Sequence, residues 1–386
     1  MSLRFICIEV RKNLHCANVF LQFDQSLTET EFLKIHVDND AIRLKEYSTE
    51  TCAKVFGHFA IEARTMSNLI VEECNASFRI TIDDISDDSG EADQTVLPVV
   101  PEPKPQVQPS EAVAIQCKNC KCALSEEQQF QRILQFPSGS IDMGEFFCHH
   151  GPDFGQVLVP QSQDIFYGFQ FMVLNATLLR DKTKVKENHL YCRRCLSYLG
   201  ETLFDSKATK LWCDSLQIQT AIKGAAPHEV FPETKVSLTC QLLHKIIRET
   251  TLDNEPLHQM QFSKVLLEAT FPNRQRRFLL LHILEKQLDV LRNAQPLAHG
   301  SLHNNNNVLE VQLEKFKCFK LLYRMMDEKQ PKGTFWKHDI SIHSLKVSPT
   351  LFSELLAELE ENSLLLPEIY RFTNDDFQLS YVFYNL

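Results

Sequence analysis

Cys117-Lys118-Asn119-Cys120 and Cys192-Arg193-Arg194-Cys195 carry the reading of the middle of this chain. Thiolates two residues apart can grip one metal ion from a single tight turn, and two such turns complete a tetrahedral sulfur site, the geometry of structural zinc. Here 71 residues separate Cys120 from Cys192, where compact zinc ribbons use about 15–20. The pattern therefore predicts a clamp between distant segments, with a large insertion presented from it. The expected ligands of one structural Zn2+ are Cys117, Cys120, Cys192 and Cys195. The competing readings are two unrelated cysteine pairs in a reduced protein, and a redox pair. Neither CxxC opens the βαβ unit that a redox pair favours.

Outward from the clamp, residues 1–85 read as an N-terminal β domain. Leu33, Ile35 and Val37 alternate, Asp38-Asn39-Asp40 supplies a turn, and Ile42 and Leu44 resume the period, as do Phe78, Ile80 and Ile82. Residues 86–112 are acidic and proline-rich (Asp87, Asp88, Glu91, Asp93, then Pro98, Pro101, Pro103, Pro105, Pro109), which predicts a disordered linker. The zinc-clamped segment spans 113–230, with strands expected around Leu211, Cys213, Leu216 and Ile218.

Residues 231–386 read as a mixed α/β C-terminal domain. Val236, Cys240, Leu243 and Ile247 fall on one face of a helix, and Arg277 to Arg292 reads as a β-hairpin. Ile340, Ile342 and Leu345 predict a strand. Ser348 then caps a helix with Pro349 at its first position and Phe352, Leu355, Leu356 and Leu359 as its buried stripe. A final strand is expected over Phe377 to Tyr384. The fold class that results is α+β and β-rich.

Composition narrows the function. Of 386 residues, 44% are hydrophobic and 23% charged, ordinary for a soluble globular protein. A net charge of −10 argues against a general nucleic-acid surface, which needs a basic stripe. The thirteen cysteines, an odd number, come without a secretory leader over Met1 to Asn13 and without an apolar run able to span a bilayer. A reducing compartment, cytoplasm or nucleus, is expected. Phosphate-binding, nucleophile-elbow, zinc-protease and dinucleotide motifs are all absent from the sequence.

Two further thiols are candidates. Glu145-Phe146-Phe147-Cys148-His149-His150 lies between Gly144 and Gly151-Pro152, inside the clamped insertion. Cys148 reads as a small buried hydrophobe, as a metal ligand, or as a thiol displayed for nucleophilic attack or for a partner's metal. Phe146, Phe147, Cys148 and His149 together form the expected partner-binding loop. Cys240 follows Thr239, a pair that resembles the active-site pattern of HECT ubiquitin ligases, but its helical register places it in the core.

Taken together, the two CxxC pairs, the loop Glu145-Phe146-Phe147-Cys148-His149, Leu199-Gly200-Glu201 after the second pair, and Trp336-Lys337-His338-Asp339-Ile340-Ser341-Ile342-His343 resemble the HECT-like, E2-binding ubiquitin-protein ligases. The resemblance runs in family order from about residue 115 to the end. It implies binding to a ubiquitin-conjugating enzyme (E2), ubiquitin transfer to substrates and to the ligase itself, and cyclin binding. It also implies association with the metallo-β-lactamase-fold endonuclease of pre-mRNA 3′-end processing. One departure from true HECT domains matters. Asn362 to Tyr370 is similar to the segment that follows their catalytic cysteine, yet the cysteine position is Glu360. A carboxylate cannot hold ubiquitin as a thioester. Catalysis would have to use Cys148 or Cys240, or the protein holds a charged conjugating enzyme without a thioester of its own.

Overall fold

The computed structural model describes residues 3–27, 33–46, 49–55, 58–83, 103–137, 158–179, 181–222, 224–251, 263–293, 308–328, 336, 339 and 342–384. It is β-rich, and the spine is the strand Arg276–Arg292. The expected hairpin there is instead one long strand. It contains no glycine, proline or asparagine to turn on, and the irregularity around Glu285 is absorbed as register shifts against the strand Glu314–Asp327.

One edge of this spine pairs with Glu314–Asp327, which in turn pairs with Gln378–Phe383. Its other edge is used twice. Residues 276–283 pair with Ser263–Thr270, and residues 289–292 pair with the first strand, Leu3–Arg11, in the register Cys7↔Arg292 to Val10↔Asp289. Leu3–Arg11 continues the sheet through Cys16–Phe23 to Asn75–Asp83. Segments 1–85 and 231–386, read from sequence as separate domains, therefore share one ten-stranded sheet. A second sheet repeats the exchange: the hairpin Leu33–Val37 and Ala41–Glu46 appears as expected, continues to Thr49–Lys54, and receives the parallel strand Val308–Val311 from the C-terminal half. Leu291 and Val311 consequently pack in one core with Ile6, Ile8, Phe78, Ile80 and Ile82.

On the C-terminal part of the large sheet lie two helices, α1 (Leu238–Thr251) and α2 (Pro349–Ser363). Ser348 caps α2 by accepting the Leu351 N–H at 3.1 Å, and Phe352, Leu355 and Leu359 are buried against the sheet strands. The strand predicted around Ile342 and Leu345 is His343–Lys346.

The middle segment has a core of its own. Ala112–Cys117 and Leu216–Thr220 pair in a three-stranded sheet, and a seven-stranded sheet runs from Arg132–Gln135 to Thr183–Lys186. Residues 103–111, placed in the linker by composition, belong to this body. The Gln106 N–H donates to the Val230 carbonyl at 2.7 Å and Val107 is buried beside Phe130. A single apolar valine between prolines is enough to dock a segment whose backbone groups find partners.

Candidate metal centre and thiol sites

Cys117 ends the strand Ala112–Cys117, and Cys192 ends the strand His189–Cys192. Each is followed by the same turn. The Cys117 N–H donates to the Cys122 carbonyl (2.9 Å) and the Lys121 N–H returns to the Cys117 carbonyl (2.8 Å). In the second copy, the Cys192 N–H donates to the Ser197 carbonyl (2.9 Å) and the Leu196 N–H to the Cys192 carbonyl (2.9 Å). Lys121 and Leu196 share a φ of 59°, the left-handed conformation that lets the chain double back after the second cysteine. Two non-glycine residues hold that conformation at equivalent places, so the geometry of the turn outweighs its conformational cost.

The turns face each other. Cys117 Sγ lies 3.7 Å from Cys195 Sγ, Cys120 Sγ lies 3.7 Å from Cys192 Sγ, and all four sulfurs fall within 4.8 Å of one another. A tetrahedral ion with metal–sulfur bonds of about 2.3 Å requires sulfur–sulfur edges of about 3.8 Å. The four thiols fit a metal ion, and the sequence-predicted ligand set is brought together complete.

Burial pushes the Cys117 thiol up to about 12 and also raises Cys192. Cys195 goes the other way. Burial opposes its ionisation, but bonds from Ser197, with help from Asn119, hold it down at about 6. The Asn119 amide donates to Ser197 Oγ at 2.8 Å, so the first turn supports the second directly. Asn119, Ser197 and the left-handed pair were missed in the sequence analysis; the one available signal was the position of Lys121 and Leu196, each directly after the second cysteine of its CxxC.

The clamp is also wired to the C-terminal body. The Lys118 N–H donates to the Ser215 carbonyl at 2.9 Å, in the short helical turn Cys213–Ser215. Asp214 of that turn accepts the hydroxyl proton of Ser348, the α2 cap. Burial raises the Asp214 carboxyl while Ser348 and Thr350 oppose the rise.

The other predicted thiols separate. Phe146, Phe147, Cys148 and His149 lie outside the described residues. The segment that contains them leaves after Pro137 and returns at Leu158, joining Arg132–Gln135 to Asp164–Gly168. These two strands are parallel. Cys240 on α1 is fully buried among Leu243, Ile247 and α2 residues, and burial, with Glu358 adding, pushes its thiol up to about 12. Glu360 is exposed on the last turn of α2.

A family model described as HECT-like ubiquitin-conjugating enzyme (E2)-binding matches residues 9–379, and the chain belongs to that family. Among curated proteins it is similar to an E3 ubiquitin-protein ligase of Pongo abelii, 24% identical over 310 residues (72% of this chain and 74% of that protein). The E3 ubiquitin-protein ligase of the same name from Bos taurus is 23% identical over 312 residues, 71% of this chain and 74% of its own. No solved structure matches the chain significantly.

Proposed function

We propose that this protein is an E3 ubiquitin-protein ligase that binds a charged conjugating enzyme and promotes ubiquitin transfer to substrates and to itself. The observation that carries the reading is the E2-binding family match over residues 9–379, which takes in both ends of the shared sheet and the cysteine clamp. The names of the two relatives support it. The clamp ion is zinc in this reading, since a closed all-thiolate tetrahedron is the preferred structural zinc site. Its role is to hold the middle segment together rather than to react.

Of the two candidate acceptors, Cys148 and Cys240, this reading favours Cys148 if a thioester forms, with the partly exposed Cys74 and Cys122 as the controls. Cys240 is sealed in the core, Cys117, Cys120, Cys192 and Cys195 are committed to the clamp, and Glu360 stands at the HECT cysteine position. A neighbouring His149 favours the thiolate. Trapping ubiquitin on the chain under non-reducing conditions, for wild type and Cys148→Ser, tests this. A thiol-sensitive adduct lost in the variant supports it, and an adduct retained in the variant rejects Cys148.

The burial of so many described thiols favours a second reading, a non-catalytic binding module. In that reading the Phe146-Phe147-Cys148-His149 loop engages the metallo-β-lactamase-fold endonuclease of pre-mRNA 3′-end processing, with Cys148 placed on the nuclease metal. Nuclease inhibition by wild type but not by Cys148→Ser, without any ubiquitin adduct, would favour it. Cyclin is a further partner to test, and cytoplasm and nucleus are the setting both readings require.

A further inference from the structure

The strand Ser67–Val71 pairs on one side with Asn75–Asp83 and, among the described residues, its other edge is free. That edge reads Ser67-Asn68-Leu69-Ile70-Val71; it carries no lysine or proline, but Asn68 at a φ of 52° and a register shift between Ser67 and Ile70 bulge its start, so that Ile70 and Val71 alone are in regular pairing. Beside it sits the one-turn helix Glu368–Arg371, tied down by the Ile369 N–H, which donates to Glu72 Oε1 at 3.2 Å, and by an edge-on contact between the Tyr370 and Phe20 rings at 5.7 Å. Leu69, Val71, Leu364, Ile369 and Phe372 are each between 49% and 55% exposed. Large apolar side chains left open to solvent thus gather on or next to two adjoining elements, one from each half of the chain. A concentration of this kind marks an interaction site rather than scattered surface leucines.

The rim is acidic: Glu72, Glu73, Glu361 and Glu368 neighbour the apolar positions in sequence. Arg371, whose guanidinium donates to the Ser363 and Leu366 carbonyls, offsets only one of these four charges. Two copies of this surface would bring acid against acid, which opposes self-association. A partner with an apolar patch ringed by lysine and arginine is complementary.

Resting on the reading of the protein as an E2-binding ligase, we propose that this surface is where the conjugating enzyme docks, through an apolar contact centred on Leu69, Val71 and Ile369 and a basic rim facing the glutamates. The placement has a consequence for transfer: the conjugating enzyme would sit on both halves of the shared sheet, so only the intact fold presents the complete surface.

The test is titration of the full-length chain against a panel of purified ubiquitin-conjugating enzymes, followed by variants against whichever binds. Val71→Thr/Ile369→Ser should weaken binding at least tenfold, and Glu73→Lys/Glu368→Lys should weaken it comparably and flatten its salt dependence. Thermal melts near wild type establish that the variants fold, as substitutions of half-exposed side chains should. Undiminished affinity in folded variants overturns the docking surface while leaving the ligase reading intact. If no conjugating enzyme binds wild type, the ligase reading itself falls and this assignment with it. A wild-type dimer in sedimentation that the same variants dissociate would make a second copy the occupant, and would also overturn the proposal.

Discussion

Lys320 Nζ lies 2.6 Å from Glu9 Oε1, a buried contact between the first strand and Glu314–Asp327 in the C-terminal half. The Tyr381 hydroxyl donates to the same carboxylate oxygen at 2.6 Å, and Asn18 donates to the other at 3.2 Å. Satisfying a buried carboxylate this fully fixes which strands may neighbour each other, because any slip leaves a charge unpaired in the sheet. Removing one partner should therefore be costly. Glu9→Gln is expected to lower unfolding free energy by about 3 kcal/mol or more, measured by denaturant titration. A change under about 1 kcal/mol would show that the network is not a determinant of the fold.

The same group gives a pH dependence. Burial opposes ionisation of Glu9, but Lys320, Tyr381 and Arg11 outweigh it and hold the carboxyl below its ordinary value of 4.5. A depressed folded-state value means the stabilisation is complete above about pH 4.5 and is lost as pH falls through the folded value. Acid unfolding of wild type should be steeper on this limb than that of Glu9→Gln. Parallel curves for the two proteins would contradict it.

The shared sheet makes a prediction about cleavage. With a protease site inserted between residues 84 and 102 and cut, the N-terminal fragment should co-elute with the rest, held by the Leu3–Arg11 pairing and the Leu291 and Val311 packing. Separation into two folded fragments in gel filtration would show that the halves are independent.

That sharing was not legible in the sequence, and the reason is physical. Alternation at Leu33 to Leu44 and at Phe78 to Ile82 announces a strand with one buried face, but the partner strand leaves no local trace. The pairing of Val10 with Asp289 is set by packing across the whole chain. Local signals with a steric cause were reliable: the Ser348 cap, the stripe of α2 and the Cys240 register each follow from side-chain chemistry within a few residues. The clamp was legible because a metal demands fixed ligand types at fixed spacing. The hairpin expected within Arg277 to Arg292 failed because a polar interruption of a strand is not a turn without residues that can make one.

One metal ion per chain is expected, bound by Cys117, Cys120, Cys192 and Cys195. Cys192→Ser should lose it in elemental analysis and lose protection from hydrogen exchange across the middle segment, since binding and folding are coupled in such sites. Because Lys118 and Asp214 connect the clamp to the α2 cap, exchange at the start of α2 should rise as well. Full metal occupancy in Cys192→Ser would refute the four-thiolate set.

Cys240→Ala should cost about 1 kcal/mol of stability and leave ubiquitin transfer unchanged, with native Cys240 resisting alkylation in mass spectrometry. Rapid alkylation in the folded protein, with transfer lost in the variant, would place the reactive thiol on α1 after all.

Ligase activity is tested most directly by single-turnover discharge of ubiquitin from a preloaded conjugating enzyme in the presence of the full-length, metal-bound chain. Accelerated discharge is expected, with ubiquitin appearing on lysines of the chain itself, and loss of both in the chelated protein. Discharge at the uncatalysed rate, from a conjugating enzyme that demonstrably binds, would contradict ligase activity and leave a binding module in its place.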